Sequence, residues 1–167
     1  GTAENQAAVS GGGLDFEADN STHYDFTKIS IAKNQGFAVA WVVHTESASS
    51  NVIFSDSSAE TIGIQSSTKL RVRANNDSSV TTQLHSSDGA KFGNTKMQIL
   101  LNRTGGGVWS VYKNGTVVAI DASSGSSSNA DAGENVMGFD IDTLGSKAGI
   151  TDYFDGIMYE VAFWSKS

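Results

Sequence analysis

The 167 residues predict an all-β domain, an antiparallel two-sheet β-sandwich, on three observations. The chain closes on Phe154-Asp155-Gly156-Ile157-Met158-Tyr159-Glu160-Val161-Ala162-Phe163-Trp164, a mostly apolar and aromatic run that starts at a glycine bend. Such a strand at an open sheet edge would template aggregation, so it belongs between two neighbours, and the end of the chain seals the fold. From Leu14 onward, short alternating runs are separated by turn residues roughly every ten to fifteen positions, the spacing of a sandwich or barrel. No segment keeps a 3.6-residue apolar stripe beyond two turns. Charged residues are 17% of the chain, below the usual figure of about 25%, and Ser, Thr, Asn and Gly supply the polarity instead. These residues favour turns and solvated strand faces and form helices poorly.

Taken in order, residues 1–13 read as an arm, flexible or docked on a partner, jointed at Gly11-Gly12-Gly13. Residues 14–167 form the domain. Strands are expected over 14–18, 24–31, 37–45, 51–55, 61–65, 70–75, 80–84, 96–102, 108–113, 116–121, 136–142 and 154–164. In the third, Phe37, Val39, Trp41 and Val43 share one face and belong in the core between the sheets. In Lys69-Leu70-Arg71-Val72-Arg73, Leu70 and Val72 point inward, leaving Lys69, Arg71 and Arg73 outward as a basic stripe. Thr104-Gly105-Gly106-Gly107 turns between the strands that carry Leu101 and Trp109. Asn114-Gly115 is the clearest hairpin signal, since a type I′ turn needs two positive φ angles. Residues 123–129 are a Ser/Gly low-complexity loop.

Composition excludes several function classes. The net charge of −7 leaves no basic surface large enough to displace counterions, so no nucleic-acid partner is expected. The absence of cysteine removes disulfides, thiolate metal sites and cysteine nucleophiles together. No apolar run reaches membrane-spanning length, so no membrane insertion is expected. His23, His44 and His85 show no metal-ligand spacing, and neither a nucleophile elbow nor a phosphate loop occurs. Sequons begin at Asn20, Asn76, Asn102 and Asn114 and matter only for a product of a eukaryotic secretory pathway.

Three blocks resemble a known superfamily. Leu14-Asp15-Phe16 with Phe37-Ala38-Val39-Ala40-Trp41-Val42-Val43-His44 is similar to its early strand and its aromatic strand. Met97-Gln98-Ile99-Leu100-Leu101 with Val111-Tyr112-Lys113-Asn114-Gly115 is similar to its central hairpin, and the closing run to its last strand. The order and spacing resemble the concanavalin A-like jelly roll, within it the laminin-G-like domain. That resemblance implies two antiparallel sheets, one concave, with the first and last strands adjacent. Members include lectins, glycoside hydrolases, adhesion modules and virion modules, so the fold alone transfers no function. The hydrolase branch places three acids on one strand. Here only Asp140 and Asp142 share a face, about 6–7 Å apart at strand rise, and Gly138 and Leu144 stand where further acids would be needed. The chain is therefore expected not to be an enzyme.

Some laminin-G-like domains hold one Ca²⁺ at the rim. Acids are available at Asp131, Glu134, Asp140, Asp142, Asp152 and Asp155, of which Asp140, Asp142, Asp152 and Asp155 are the candidate calcium ligands, with solvated acids as the alternative. No other cofactor is required. Trp109 and Tyr112 fall on opposite faces of one strand, so one is core and the other can stack on a sugar ring. With Lys69, Arg71 and Arg73 they are the candidate ligand-binding residues. The expectation is a non-catalytic, lectin-like binding or adhesion module for a surface glycan, extracellular or on a virion surface. The alternative is a structural virion protein, a phage capsid decoration, head-fibre or tail-fibre domain, whose partners are identical subunits or capsid proteins.

Overall fold

A computed structural model describes residues 8–18, 21–47, 51–56, 60–74, 81–121, 138–147 and 152–165. The expected arm over residues 1–7, the loop 123–129, Asp131, Glu134 and the sequons at Asn20 and Asn76 lie outside the described residues.

Fourteen strands among the described residues form two antiparallel sheets. Sheet A contains β1 (Ala8–Ser10), β2 (Gly13–Phe16), β14 (Gly156–Ser165), β4 (Phe37–Thr45), β9 (Lys96–Arg103), β10 (Trp109–Lys113) and β11 (Thr116–Val118), in that spatial order. Sheet B runs β12 (Ile120–Asp121), β8 (Thr81–Ser86), β7 (Lys69–Arg73), β6 (Thr61–Ser66), β5 (Asn51–Ser55), β13 (Phe139–Leu144) and β3 (Tyr24–Ile31). Among the described residues no helix is long and apolar enough to cross a membrane.

The expected seal is present. β14 lies between β2 and β4, with Met158 opposite Leu14 on one side and Val161 opposite Trp41 on the other. Gly156 opens that strand at φ +131°, where a Cβ would collide with the His44 carbonyl oxygen, so the bend requires glycine. Asn114 and Gly115 both take positive φ, as the β10–β11 hairpin demands. Alternation fills the interior: Phe37, Val39, Trp41 and Val43 of β4 face Ile53, Ile62, Leu70 and Ile141 from sheet B in one buried cluster.

Two expectations change. Ala8–Ser10, inside the expected arm, pairs with β2, so the described part of that arm is a strand and turn of sheet A. Three small residues carry too little pattern to mark a strand. The strand expected over 116–121 is two strands, β11 in sheet A and β12 in sheet B, with the chain crossing between sheets at Ala119. Arg103 is a surprise of a different kind. It is fully buried, its guanidinium carbon 4.9 Å from the Phe37 ring and 5.7 Å from those of Trp109 and Phe139, while Nη2 donates to the Gln35 carbonyl. Cation–π contact and a hydrogen bond offset part of the cost of taking that charge out of water.

Candidate functional site

The outer face of sheet B carries the charge. Leu70 and Val72 enter the core, which forces Lys69, Arg71 and Arg73 of β7 to the exterior, as the alternation predicts. β8 sets hydrogen-bonding side chains beside them, with His85 opposite Lys69 and Gln83 opposite Arg71. On the other flank Thr61 faces Arg73 and Gly63 faces Arg71. All three cations are half-buried. Burial holds the Arg71 guanidinium below its ordinary pKa, the like charge of Arg73 adds to this, and Asp152 opposes it. Gln65 Oε1, Gln83 Oε1 and Arg73 Nε are out of solvent and have no hydrogen-bond partner among the described residues. Among the described residues this face therefore holds cationic side chains beside hydrogen-bonding atoms without a partner.

Toward one end of the same sheet the charge reverses, on β13, three strands from β7, and at the β5–β6 connection, whose β6 side adjoins β7. Asp56 ends the β5 side of a short connection and Glu60 begins the β6 side. β13 brings Asp140 and Asp142 alongside. One oxygen each of Asp56, Glu60 and Asp140 lies within 4.8 Å of the others. Lys28 from β3 closes the group, at 3.1 Å from Asp56 and 3.5 Å from Asp140. The hydrogen bond to Asp56 raises the Lys28 pKa. Burial, and then a hydrogen bond with Asp56, push the Asp142 carboxyl up, against the hydrogen bond it accepts from Thr143 Oγ1 at 3.0 Å.

The four expected calcium ligands do not assemble. Asp140 and Asp142 join this group, but Asp152 pairs with Lys147 at 3.6 Å. Asp155 is engaged through its backbone, donating to Asn51 Oδ1 and accepting from the Glu46 N–H. Asp56 and Glu60 were missed in the sequence because they acquire meaning only once β5 is known to lie beside β13. Two acids bracketing one short connection were the available signal. The remaining donor set fits calcium poorly. That ion takes six to eight oxygens, whereas here an ammonium already contacts two of the carboxylates and Glu60 Oε2 accepts the Asp140 N–H.

The two expected aromatic platforms separate as well. Trp109 packs toward the core, edge-on to Phe37 at 5.8 Å and beside Arg103, and is no platform. Tyr112 is on the outer face of sheet A, opposite Leu100 and Val117. The exposed indole is Trp164, 54% accessible and opposite Ala38.

The same arrangement of sheets occurs in solved structures. A carbohydrate-binding module, CBM40, of the Ruminococcus gnavus IT-sialidase, bound to α2,3-sialyllactose, superposes with a TM-score of 0.54 at 11% identity, over 86% of this chain and 91% of that one. A native heptameric SAP-like pentraxin from Limulus polyphemus gives 0.54 at 12% identity, over 96% and 74%. The fold is a concanavalin A-like jelly roll. The enzymatically active domain of bacteriophage CBA120 tailspike protein 2 gives 0.53 at 13% identity, over 93% of this chain and 25% of that one. No protein-family model matches the jelly roll described here, and no curated protein matches its sequence.

Proposed function

We propose that this jelly roll, of laminin-G-like type, is a non-catalytic carbohydrate-binding module that takes an acidic glycan on the Lys69, Arg71 and Arg73 face. The carrying observation is the half-buried cationic stripe, edged by amide and imidazole side chains, on the outer face of sheet B. Guanidinium groups pair a carboxylate or sulfate through two parallel hydrogen bonds, and neutral amides beside them read hydroxyls. The R. gnavus module has this fold at nearly this length and is bound to sialyllactose, a sugar with a carboxylate.

The acidic group across the sheet speaks against hydrolysis. Glycosidases hold their two carboxyls at least about 5 Å apart to admit the scissile bond. Here an oxygen of each of Asp56, Glu60 and Asp140 lies within 4.8 Å of the others, and Asp56 and Asp140 share a lysine. Their role is electrostatic: they repel an anionic ligand from one half of the face and so fix its orientation on the other. Binding is independent of calcium, and the setting is the outside of a cell or particle, where many copies raise avidity.

Calorimetric titration with sialyllactose, with and without a chelator, tests the reading. The expected result is weak, salt-sensitive binding that the chelator leaves unchanged and that the pair Arg71→Ala and Arg73→Ala reduces tenfold or more. Binding that persists in that double variant, or that vanishes with the chelator, overturns it. The second reading, a structural virion domain, has the tailspike match behind it. No binding to any acidic glycan, together with co-purification on a particle, selects that reading.

A further inference from the structure

We infer that the domain has a second ligand site, for a neutral sugar, at the Trp164 end of sheet A. A surface pocket of about 400 Å³ opens there between Trp164, Ala38, Asn102, Thr104, Gly36 and Gly105. Its volume falls in the range of roughly 300–1,000 Å³ usual for small-molecule sites.

The construction follows from register. Trp164 lies opposite Ala38, Ala38 opposite Asn102, and Asn102 opposite Ser110, forming one row across the outer face of β14, β4, β9 and β10. The next row runs Ala162, Ala40, Leu100, Tyr112 and Val117. Neither row contains a charge. The cross-strand neighbours of Trp164 are alanines, so among the described residues nothing on its own sheet covers the indole. The end wall is backbone. Where the turn before β4 meets the turn after β9, a Cβ on Gly105 would strike the Asn34 carbonyl oxygen, and one on Gly36 would press on the Arg103 carbonyl. Two glycines thus let the turns close into a fixed wall.

The chemistry selects the ligand. The pocket presents an aromatic face, the Asn102 amide with donor and acceptor, and the Thr104 hydroxyl, which accepts from the Val108 N–H at 3.1 Å and keeps its proton to donate. Arg103 also lines the pocket, but it is fully buried and its guanidinium is turned inward among Phe37, Trp109 and Phe139. An indole beside uncharged hydrogen-bonding groups matches a pyranose ring, apolar on its C–H face and ringed by hydroxyls. Among the described residues nothing here rewards a negative charge. Because the two sites are on opposite exteriors of the sandwich, one domain can hold two separate glycan chains, which multiplies avidity on a dense surface.

The test follows the three tryptophan indole N–H signals by NMR while lactose, maltotriose and cellotriose are added separately. The Trp164 signal is assigned by its loss in Trp164→Phe. The expected result is that at least one probe shifts the Trp164 signal, with a Kd of roughly millimolar, insensitive to salt. Ala38→Gln, which covers the indole, weakens that shift tenfold or more while the Trp41 and Trp109 signals keep their positions. Arg71→Ala leaves it unchanged. No movement of Trp164 with any of the three probes, or an equal response in Ala38→Gln, overturns the inference. The acidic-glycan site is scored separately by sialyllactose binding lost with Arg71→Ala and Arg73→Ala, so either site can fail while the other stands.

Discussion

The two outer faces of this sandwich are built on the same alternation and differ in almost everything else. Sheet B presents Lys69, Arg71 and Arg73 on β7 and Asp56, Asp140 and Asp142 toward β13, with Glu60 buried beside them. Sheet A presents two neighbouring rows of alanine, leucine, tyrosine, asparagine and tryptophan with no charge between them. The inward faces, by contrast, are interchangeable in kind, contributing Val, Ile, Leu and Phe to a single cluster. A β-sandwich constrains every second residue through packing and leaves the others to solvent and ligand, so specialisation accumulates on the exteriors. Arg103 is the exception, a charge placed on the inward side and boxed by aromatic rings.

The sharpest way to break this division is to truncate one tryptophan on each side of sheet A. Trp109→Ala removes a ring that packs on Phe37 and shields Arg103, and large-to-small changes of this class cost about 3 kcal/mol or more. Trp164→Ala removes an exposed ring and is expected to change stability by no more than about 0.5 kcal/mol. Urea unfolding of both variants measures the difference. Equal losses would mean that Trp164 supports the fold and that the neutral face is not free for a ligand.

The basic stripe gives the converse comparison. Arg71→Ala with Arg73→Ala removes two half-buried side chains from an outer face and no apolar group from the core. Stability should fall by less than about 1 kcal/mol, while affinity for an acidic glycan drops tenfold or more. Raising salt should weaken the wild-type interaction and leave the double variant almost unaffected, because screening acts on the charges that have been removed. A large stability loss without a change in binding would reduce the stripe to a structural element.

What the sequence disclosed and what it concealed divide along the same line. Local pattern located the strands Tyr24–Ile31, Phe37–Thr45 and Asn51–Ser55 to the residue, the Asn114-Gly115 turn, and the sealing position of β14. Each is written in adjacent residues: alternation, a turn dipeptide, a glycine bend. Outward placement of the basic stripe was legible for the same reason. The Asp56–Glu60–Asp140 group was not, because it depends on β5 lying between β6 and β13, a long-range fact. The roles of Trp109 and Trp164 were also hidden. Strand parity showed that Trp109 and Tyr112 point oppositely but not which faces inward, and the bulge between Met158 and Glu160 resets the parity of β14 just before Trp164. The crossing at Ala119 was missed because one continuous β pattern served two sheets.

The smallest expected effect concerns the acidic half of sheet B, and its sign separates an electrostatic role from a stabilising one. Burial and the hydrogen bond with Asp56 raise the Asp142 pKa in the folded protein. An acid whose pKa is higher folded than unfolded binds its proton better in the native state. Its contribution is therefore most favourable below the unfolded value and is lost as pH climbs through the folded value. At neutral pH the ionised carboxylate thus opposes folding. Asp142→Asn should accordingly raise Tm at pH 7 by a small amount, on the order of 1 °C for a domain of this size, and the gain should shrink as pH is lowered through the carboxylate range. The asparagine keeps an oxygen that can accept from Thr143 Oγ1, so the local hydrogen bond is not the variable. Thermal melts of both proteins across that range decide the matter. A variant less stable than wild type at pH 7 would make Asp142 a structural partner of Lys28 and Thr143. A gain at pH 7 that fades in acid would mean that this half of the face is maintained against its own repulsion, as expected of charges that serve recognition rather than folding.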